Sequence, residues 1–573
     1  MSRSQSPSWM DIDTLPDLDA PDLFPIWTTS SEEEADAKPS STMAETHITK
    51  EEADAEPSST MAETHVTKEE AEGYYAGLAS CPRLVARSNK NEPWSPVEGC
   101  WTLLKTLDPI GQHAIVSLWD QANSELRSAI INALKDINWT AIDILRLGYC
   151  RRPGTIDEPV SQDEMFPKLL ISVQPDSVDG LLGSKVTLDC RKILQGYGIY
   201  DMEVEMMEAC VSMFNSPPKL TSQPITGDIQ MNAQLSEFVG SCIANETTPY
   251  REGTKGFYVR IKDTDKLLFV TCRHVLFNDS FPNVDYKHND NVPSVVIQPG
   301  EGTYEKMICQ LSANISSLQS LRDKATTDER EELDKLQELK DKFDTLHEKK
   351  SRIIGHVLYS PKYSLGTSEG GADRLRDWAL VELHQDKHET VFSEMRNLVV
   401  AGPQARQQLW KVLFDELNNE HRIRVENQLS VHHTNTYDLT RSVQEFEMRS
   451  PNETSQGLDE SAMVVAKFGR TTGLTFGVAN EVKSVSRTVA PGQEFISEEW
   501  CILGHKQKGQ NRQPFSSDGD SGSCILDMYG RIGGLLTGGK PPKDGNTDIT
   551  YATPIEWLLK DIKQESGFNV KLA

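Results

Sequence analysis

Apolar positions along this chain follow two different rhythms. In Gly111 to Ile137, residues Ile115, Leu118, Trp119, Leu126, Ile130, Ile131 and Leu134 recur at steps of three and four, which predicts helix. Pro167 to Pro175 reads as a strand, Ser184 to Gly198 as a helix stopped at glycine, and Met202 to Phe214 as a further strand. Together these predict a small α/β (α+β) domain over residues 73–215. Beyond it the rhythm changes. Ser241 to Asn245 and Gly253 to Ile261 are short β segments, Lys266 to Phe277 is a β-rich apolar run, and Arg376 to Leu383 is another apolar strand. Phe515 to Gly539 reads as a strand, a turn at Tyr529-Gly530 and a second strand. A mostly β region is expected over 237–565.

Two insertions interrupt that β region. Residues 311–350 are highly charged, with Leu311, Ile315, Leu318, Ala325, Leu333, Leu336, Leu339, Phe343 and Leu346 at mostly three- and four-residue steps. This predicts a long helix or a helical hairpin, with Thr327-Asp328 and Glu331 as a cap where the second helix begins. A hairpin packed on itself is the plain reading; a coiled-coil arm for self-association is the sharper one. The second insertion, about 397–451, is polar and contains His421, His432 and His433. No partner spacing supports a metal there, and a solvated linker is the expectation.

Composition adds a third kind of segment. The chain has 573 residues, a net charge of −27 and 37% hydrophobic residues, low for a wholly packed chain. Residues 1–72 hold 18 Asp/Glu against four Lys/Arg, about half of that charge. They contain an 18-residue tandem repeat, Glu33 to Lys50 and Glu51 to Lys68, which differs at two positions. Such polar copies bury no core, so a disordered acidic tail is expected. A Pro-rich stretch at Ser216 to Ile225 reads as part of a linker over 216–236. The acidity argues against nucleic acid and anionic membranes as partners. No apolar run spans a bilayer and the start has no apolar signal core, so an intracellular location is expected. Ten cysteines stand without a CxxC pair, so neither zinc nor a disulfide framework is indicated, and no metal or cofactor is expected.

The candidate chemistry lies in Gly519-Asp520-Ser521-Gly522. A serine hydroxyl needs a neighbouring base and donors for the oxyanion it creates. Glycines on either side let the backbone turn sharply and aim N–H groups inward. Upstream, Thr271-Cys272-Arg273-His274-Val275 ends an apolar run and offers a base. Asp377 heads the strand in Arg376 to Leu383 and offers a carboxylate to orient that base. Asp373, four residues earlier, is an alternative without the following strand pattern.

These three motifs, in the order His, Asp, Ser, resemble a trypsin-like (chymotrypsin-fold, PA clan) serine protease domain. The likeness is to the divergent domains of fungal multidomain proteins. Lys467 to Gly477 resembles the Gly/Thr-rich hairpin of the second barrel, and Tyr551 to Ile562 the last strand running into the terminal helix. The resemblance implies an all-β double-barrel domain with a helical insertion, and residues 73–215 resemble the accessory domain of such proteins. It also implies a serine endopeptidase with catalytic His274, Asp377 and Ser521, and an oxyanion hole at Gly519 and Ser521. Thr537, Gly538 and Gly539 would line the substrate strand and pocket, with a peptide or protein as substrate. Phe515 stands where trypsins place an acid, which points to an apolar or small primary side chain. Asp520 is expected to pair inside the fold. No site for activation by a new N-terminus is apparent. A second reading stays open: a catalytically silent scaffold that works through its acidic tail and helical insertion.

Overall fold

Strand pairing organises the described residues of this computed structural model into two large sheets. They cover residues 66–573, apart from 79, 90–93, 95–103, 151–164, 212–233, 263, 265, 321–325, 369–370, 401–408, 410, 413–435, 449–461, 491, 507–511 and 541–547. The tandem repeat, the Pro-rich stretch at 216–225 and His421, His432 and His433 therefore lie outside the described residues. Thr60–Ala573 makes one compact unit. The described part is mostly β-sheet with few helices.

The first sheet has nine strands. Its centre is Leu267–Thr271, paired with Phe257–Ile261 on one side and Ala379–Leu383 on the other. All five residues of Leu267–Thr271 are buried, because both faces of this strand meet apolar neighbours. Thr271 stands opposite Ala379, so the chain leaving one strand and the chain entering the other meet at the same end of the sheet.

The second sheet has 13 strands. It joins two regions that the sequence pattern separates. Trp139–Cys150, in the accessory region, pairs with Phe166–Val173 on one edge and with Ser484–Ala490 on the other. Val485 lies opposite Ile142, and Ser486 opposite Ala141. Buried polar groups reinforce this joint. Asp143 takes bonds from Lys540, from the Ser484 hydroxyl at 2.5 Å and from the Tyr551 hydroxyl at 3.1 Å. Lys540 also donates to Ser172 Oγ at 2.6 Å. The accessory region is thus one flank of a shared sheet. The pattern of apolar residues cannot show this, since a strand edge looks the same whether its partner is near or far in sequence.

Several elements differ in detail from the sequence expectations. The stretch Gly111 to Ile137 is two helices, Ala114–Trp119 and Glu125–Ala133. Asn123, at φ 56, turns the chain between them, and Ser124 caps the second helix by accepting from Arg127 N–H. The expected tail ends earlier than residue 72, in a helix at Lys68–Gly73 capped by Thr67. Its Glu70 pairs with Arg87 at 2.7 Å. The first insertion is a helical hairpin, Glu301–Ser320 and Thr327–Asp344, which begins before the charged stretch. Its second helix is capped by Thr326 with Glu329, ahead of the expected Thr327-Asp328 and Glu331, because this pair closes a reciprocal capping box. Tyr304, Leu311, Ile315, Leu336, Leu339 and Phe343 bury themselves between the two helices. The apolar stripe is therefore satisfied within the chain.

Candidate functional site

The turn after Leu267–Thr271 continues as a short helix, Arg273–Leu276, whose residues are all buried. The buried Arg273 guanidinium fastens it, donating to the Pro361 carbonyl at 2.7 Å and the Val284 carbonyl at 3.0 Å. His274 is next in this helix. Its Nδ1 lies 2.5 Å from Asp377 Oδ2, and its backbone N–H donates to Asp377 Oδ1 at 3.0 Å. Asp377 thus grips both the ring and the main chain of the same residue. The register of Thr271 against Ala379 explains this, since both residues leave the sheet at one end.

The neighbours of Asp377 are held in turn by the C-terminal helix Ile555–Ser566. Asp561 accepts from Arg376 Nε at 2.9 Å and from Trp378 Nε1 at 2.9 Å. Burial pushes the Asp561 carboxyl up, opposed by the hydrogen bond from Trp378 and the charge of Arg376. Asp373, the alternative acid, is exposed on the small hairpin of Leu365–Thr367 and Asp373–Leu375. There it accepts from Thr367 Oγ1 at 2.8 Å, and His274 is paired with Asp377 instead.

Ser521 sits between two glycines of positive φ, Gly519 at +93° and Gly522 at +90°. Both need the missing Cβ. One added to Gly522 would lie 2.3 Å from the Thr254 carbonyl oxygen and 2.4 Å from Thr271 Oγ1, and one on Gly519 would strike Arg470. Gly522 therefore lets the serine turn press against the end of the histidine strand. Thr254 stitches the contact: its N–H donates to the Ser521 carbonyl at 2.9 Å and its hydroxyl to the Gly519 carbonyl at 2.9 Å. The Leu536 carbonyl accepts from both Gly522 N–H, at 2.8 Å, and the Cys272 thiol, at 3.2 Å. Cys272 in turn offers its sulfur within 4.8 Å of donor atoms of His274 and Asp377. One carbonyl thus links the residue after Ser521 to the residue two before His274. Ser521 Oγ donates to the Thr537 carbonyl at 3.1 Å. His274, Asp377 and Ser521 are all buried.

The turn is also braced from below by Asp520, which is wholly buried. Its carboxylate accepts from Ser517 N–H at 3.0 Å, Thr471 N–H at 2.8 Å and Thr472 Oγ1 at 2.6 Å. Lys467 supplies the countercharge, with Nζ 3.2 Å from Asp520 Oδ2. Burial lowers the Lys467 ammonium below its ordinary range, and the charge of Asp520 works against that shift. Lys467, Thr471 and Thr472 belong to the hairpin Val464–Gly469 and Gly473–Ala479. Beside it Arg470 pairs with Glu252, whose carboxylate also receives Thr303 N–H at 2.7 Å. The start of the helical insertion is therefore tied to the loop that lies against Gly519.

Cys272, His274 and Asp377 are also the one cluster of potential metal donors among the described residues. Burial, with the nearby Asp377, pushes the Cys272 thiol well above its ordinary range.

The remaining expected residues divide. Thr537 and Gly538 line a hollow, partly open to solvent, together with Asp377, Glu499, Tyr551 and Val211. Gly539 is buried, opposite Thr550 in the sheet. Phe515 is also buried, packed among Trp500, Ile502 and Ile525 beneath the hairpin that carries Lys467. It is core, and it does not line that hollow. Sequence reading missed Lys467, Thr254, Asp561 and Glu499. A lysine inside the apolar run Met463 to Phe468 was a signal for the first. The others carry no local mark.

No protein-family profile matches this chain, and no curated protein matches it. Among solved structures it is similar to a glutamic acid specific serine protease described as using a novel histidine triad in substrate binding. That likeness has 11% identity and a TM-score of 0.27, over 59% of this chain and 100% of that one. It is also similar to a chymotrypsin from Cellulomonas bogoriensis, with 16% identity and a TM-score of 0.18, over 38% of this chain and 80% of that one. Both neighbours are serine proteases, but scores of this size carry no argument for function. The functional reading rests on the geometry.

Proposed function

We propose that this chain is a serine endopeptidase that cleaves peptide bonds through an acyl-enzyme intermediate. The observation that carries the reading is the grip of Asp377 on His274, at 2.5 Å to Nδ1, beside a glycine-flanked serine turn packed on the same strand end. With Nδ1 bonded to the carboxylate, Nε2 is the nitrogen that serves Ser521 in this reading. Ser521 Oγ attacks the substrate carbonyl while His274 takes its proton. The N–H groups of Gly519 and Ser521 receive the developing oxyanion, which they stabilise without reorganising. When the tetrahedral species collapses, His274 returns the proton to the departing amine. Water then repeats the sequence on the acyl-enzyme and releases Ser521. An extended peptide pairs with the backbone at Thr537 and Gly538 in this reading.

A silent scaffold of the same fold has one observation in its favour, the burial of Ser521 and His274. A fluorophosphonate probe on the full chain separates the two. Labelling of the wild type, and none of Ser521→Ala, supports the enzyme. No labelling of the wild type, or equal labelling of both, overturns it.

A further inference from the structure

The hollow beside Thr537 and Gly538 holds a charged group that the proposed catalysis leaves unused. Glu499 lies on the long strand Gln493–Gly504 and is 5% exposed. Its Oε1 accepts from the Ser497 hydroxyl at 2.7 Å. Its Oε2 is buried and has no hydrogen-bond partner among the described residues. The nearby cations are engaged with other acceptors. Arg374 donates to the Glu498 carbonyl at 2.8 Å and to the Glu445 carboxylate at 2.6 Å. Arg127 lies 2.9 Å from the Glu498 carboxylate, and Lys483 is shared between Glu445 and Glu498. Asp377 lines the same hollow, with its carboxylate committed to His274. The walls thus present two acids and one carboxylate oxygen still lacking a donor. A buried acceptor in that state is costly unless something enters to satisfy it.

We propose that this hollow is a substrate subsite for a cationic side chain, lysine or arginine, with Glu499 as its countercharge. The proposal rests on the protease reading, since it places the cation on a peptide paired along Thr537 and Gly538. It concerns a residue on the acyl side of the scissile bond and not the primary pocket. Val211, the last described residue of the accessory region before 212, forms part of the wall. The shared sheet also brings Ser486 and Thr488 of Ser484–Ala490 to it. The accessory region therefore helps to shape what the site accepts.

The state of Glu499 makes the subsite pH-sensitive. Burial pushes its carboxyl up to about 7; the Ser497 hydroxyl and the Arg374 charge pull it down, while Asp377 and Glu498 push it further up. Tyr551 and Cys272 also face it, and burial keeps both protonated. A substrate cation stabilises the ionised form, so its advantage over a neutral side chain of the same size grows as pH rises through about 7.

The test uses the full chain and pairs of fluorogenic peptides. Within each pair one residue, two to four positions before the cleaved bond, is lysine or norleucine. The ratio of kcat/KM for lysine over norleucine is measured near pH 6 and near pH 8.5. At one position the wild type is expected to favour lysine by about tenfold or more at the higher pH and less at the lower. Glu499→Gln brings the ratio close to one at both, and Glu499→Asp restores part of it. A wild-type ratio near one at all three positions, or one that Glu499→Gln leaves intact, overturns the subsite. Thermal melting checks that each variant is folded. Fluorophosphonate labelling of Ser521 keeps the two ideas apart. Labelling with no lysine preference removes the subsite and leaves the protease; absent labelling and cleavage removes both.

Discussion

The two halves of the candidate site are held by different means. His274 and Asp377 leave adjacent strands at one end of one sheet, so backbone register brings them together, with Arg273 and the Asp561–Arg376 pair fastening their neighbours. Ser521 stands in a loop, and its turn is shaped by a buried ion pair, two threonines and two glycines. Backbone ladders are insensitive to most side-chain changes, whereas a buried charge fails when its partner is removed. The histidine half should therefore tolerate substitution around it better than the serine half does.

The largest expected effect concerns both halves at once. In the proposed mechanism, Ser521→Ala or His274→Ala should each lower kcat by on the order of a million-fold if subtilisin's behaviour transfers, and the double variant should be little worse. Asp377→Asn should cost about ten-thousand-fold, as in the chymotrypsin-type triad, because an amide bonded to Nδ1 favours the wrong tautomer. Additive losses in the double variant would show that the two residues do not act as a unit. Single-turnover peptide hydrolysis reads all of these.

The next test contrasts the two kinds of support. Lys467→Met leaves Asp520 charged and buried without a countercharge, and should destabilise the fold by roughly 3–5 kcal/mol. Adding Asp520→Asn should recover part of that loss. In the histidine half, Asp561→Asn weakens the clamp on Arg376 and Trp378 and should cost only about 1–3 kcal/mol. Urea unfolding measures both. Equal losses would erase the distinction between a register-held and a charge-held half.

Glu499 sharpens the comparison through pH. Its carboxyl rises from 4.5 in the unfolded chain to about 7 in the fold. Between these values the native state holds a proton that the unfolded chain has lost, so stability falls as pH rises. The full effect is on the order of 3 kcal/mol, present below about pH 4.5 and gone above about pH 7. Glu499→Gln should flatten that part of the stability profile. The smallest effect on the site is expected from the helical insertion. Leu339→Ala removes packing inside the hairpin, for about 2 kcal/mol, and should leave fluorophosphonate labelling of Ser521 unchanged.

Much of this was legible in the chain. The run Leu267–Thr271 is apolar enough to be a buried strand, and glycines around Ser521 announce a sharp turn. Helix periodicity found the hairpin at Glu301–Ser320 and Thr327–Asp344, although the cap is Thr326 with Glu329. Three things were out of reach. The pairing of Val485 with Ile142 joins strands more than 300 residues apart, and an edge strand does not announce its partner. Phe515 was placed by counting back from Ser521, and its packing against Trp500, Ile502 and Ile525 is something the count cannot give. Glu499, in a Glu-Glu-Trp run, looks like an ordinary charged strand residue until the walls around it are known.

By itself the sequence determined which segments turn, extend or coil, because those choices depend on neighbours three or four residues away. It also set the order of the chemical groups along the chain. Only the tertiary structure decided that His274 meets Asp377 rather than Asp373, that Lys467 answers Asp520, and that the accessory strands extend the sheet beside the hollow. Those outcomes depend on long-range register and on which charges find a partner once water is excluded, and neither is written in any local stretch of residues.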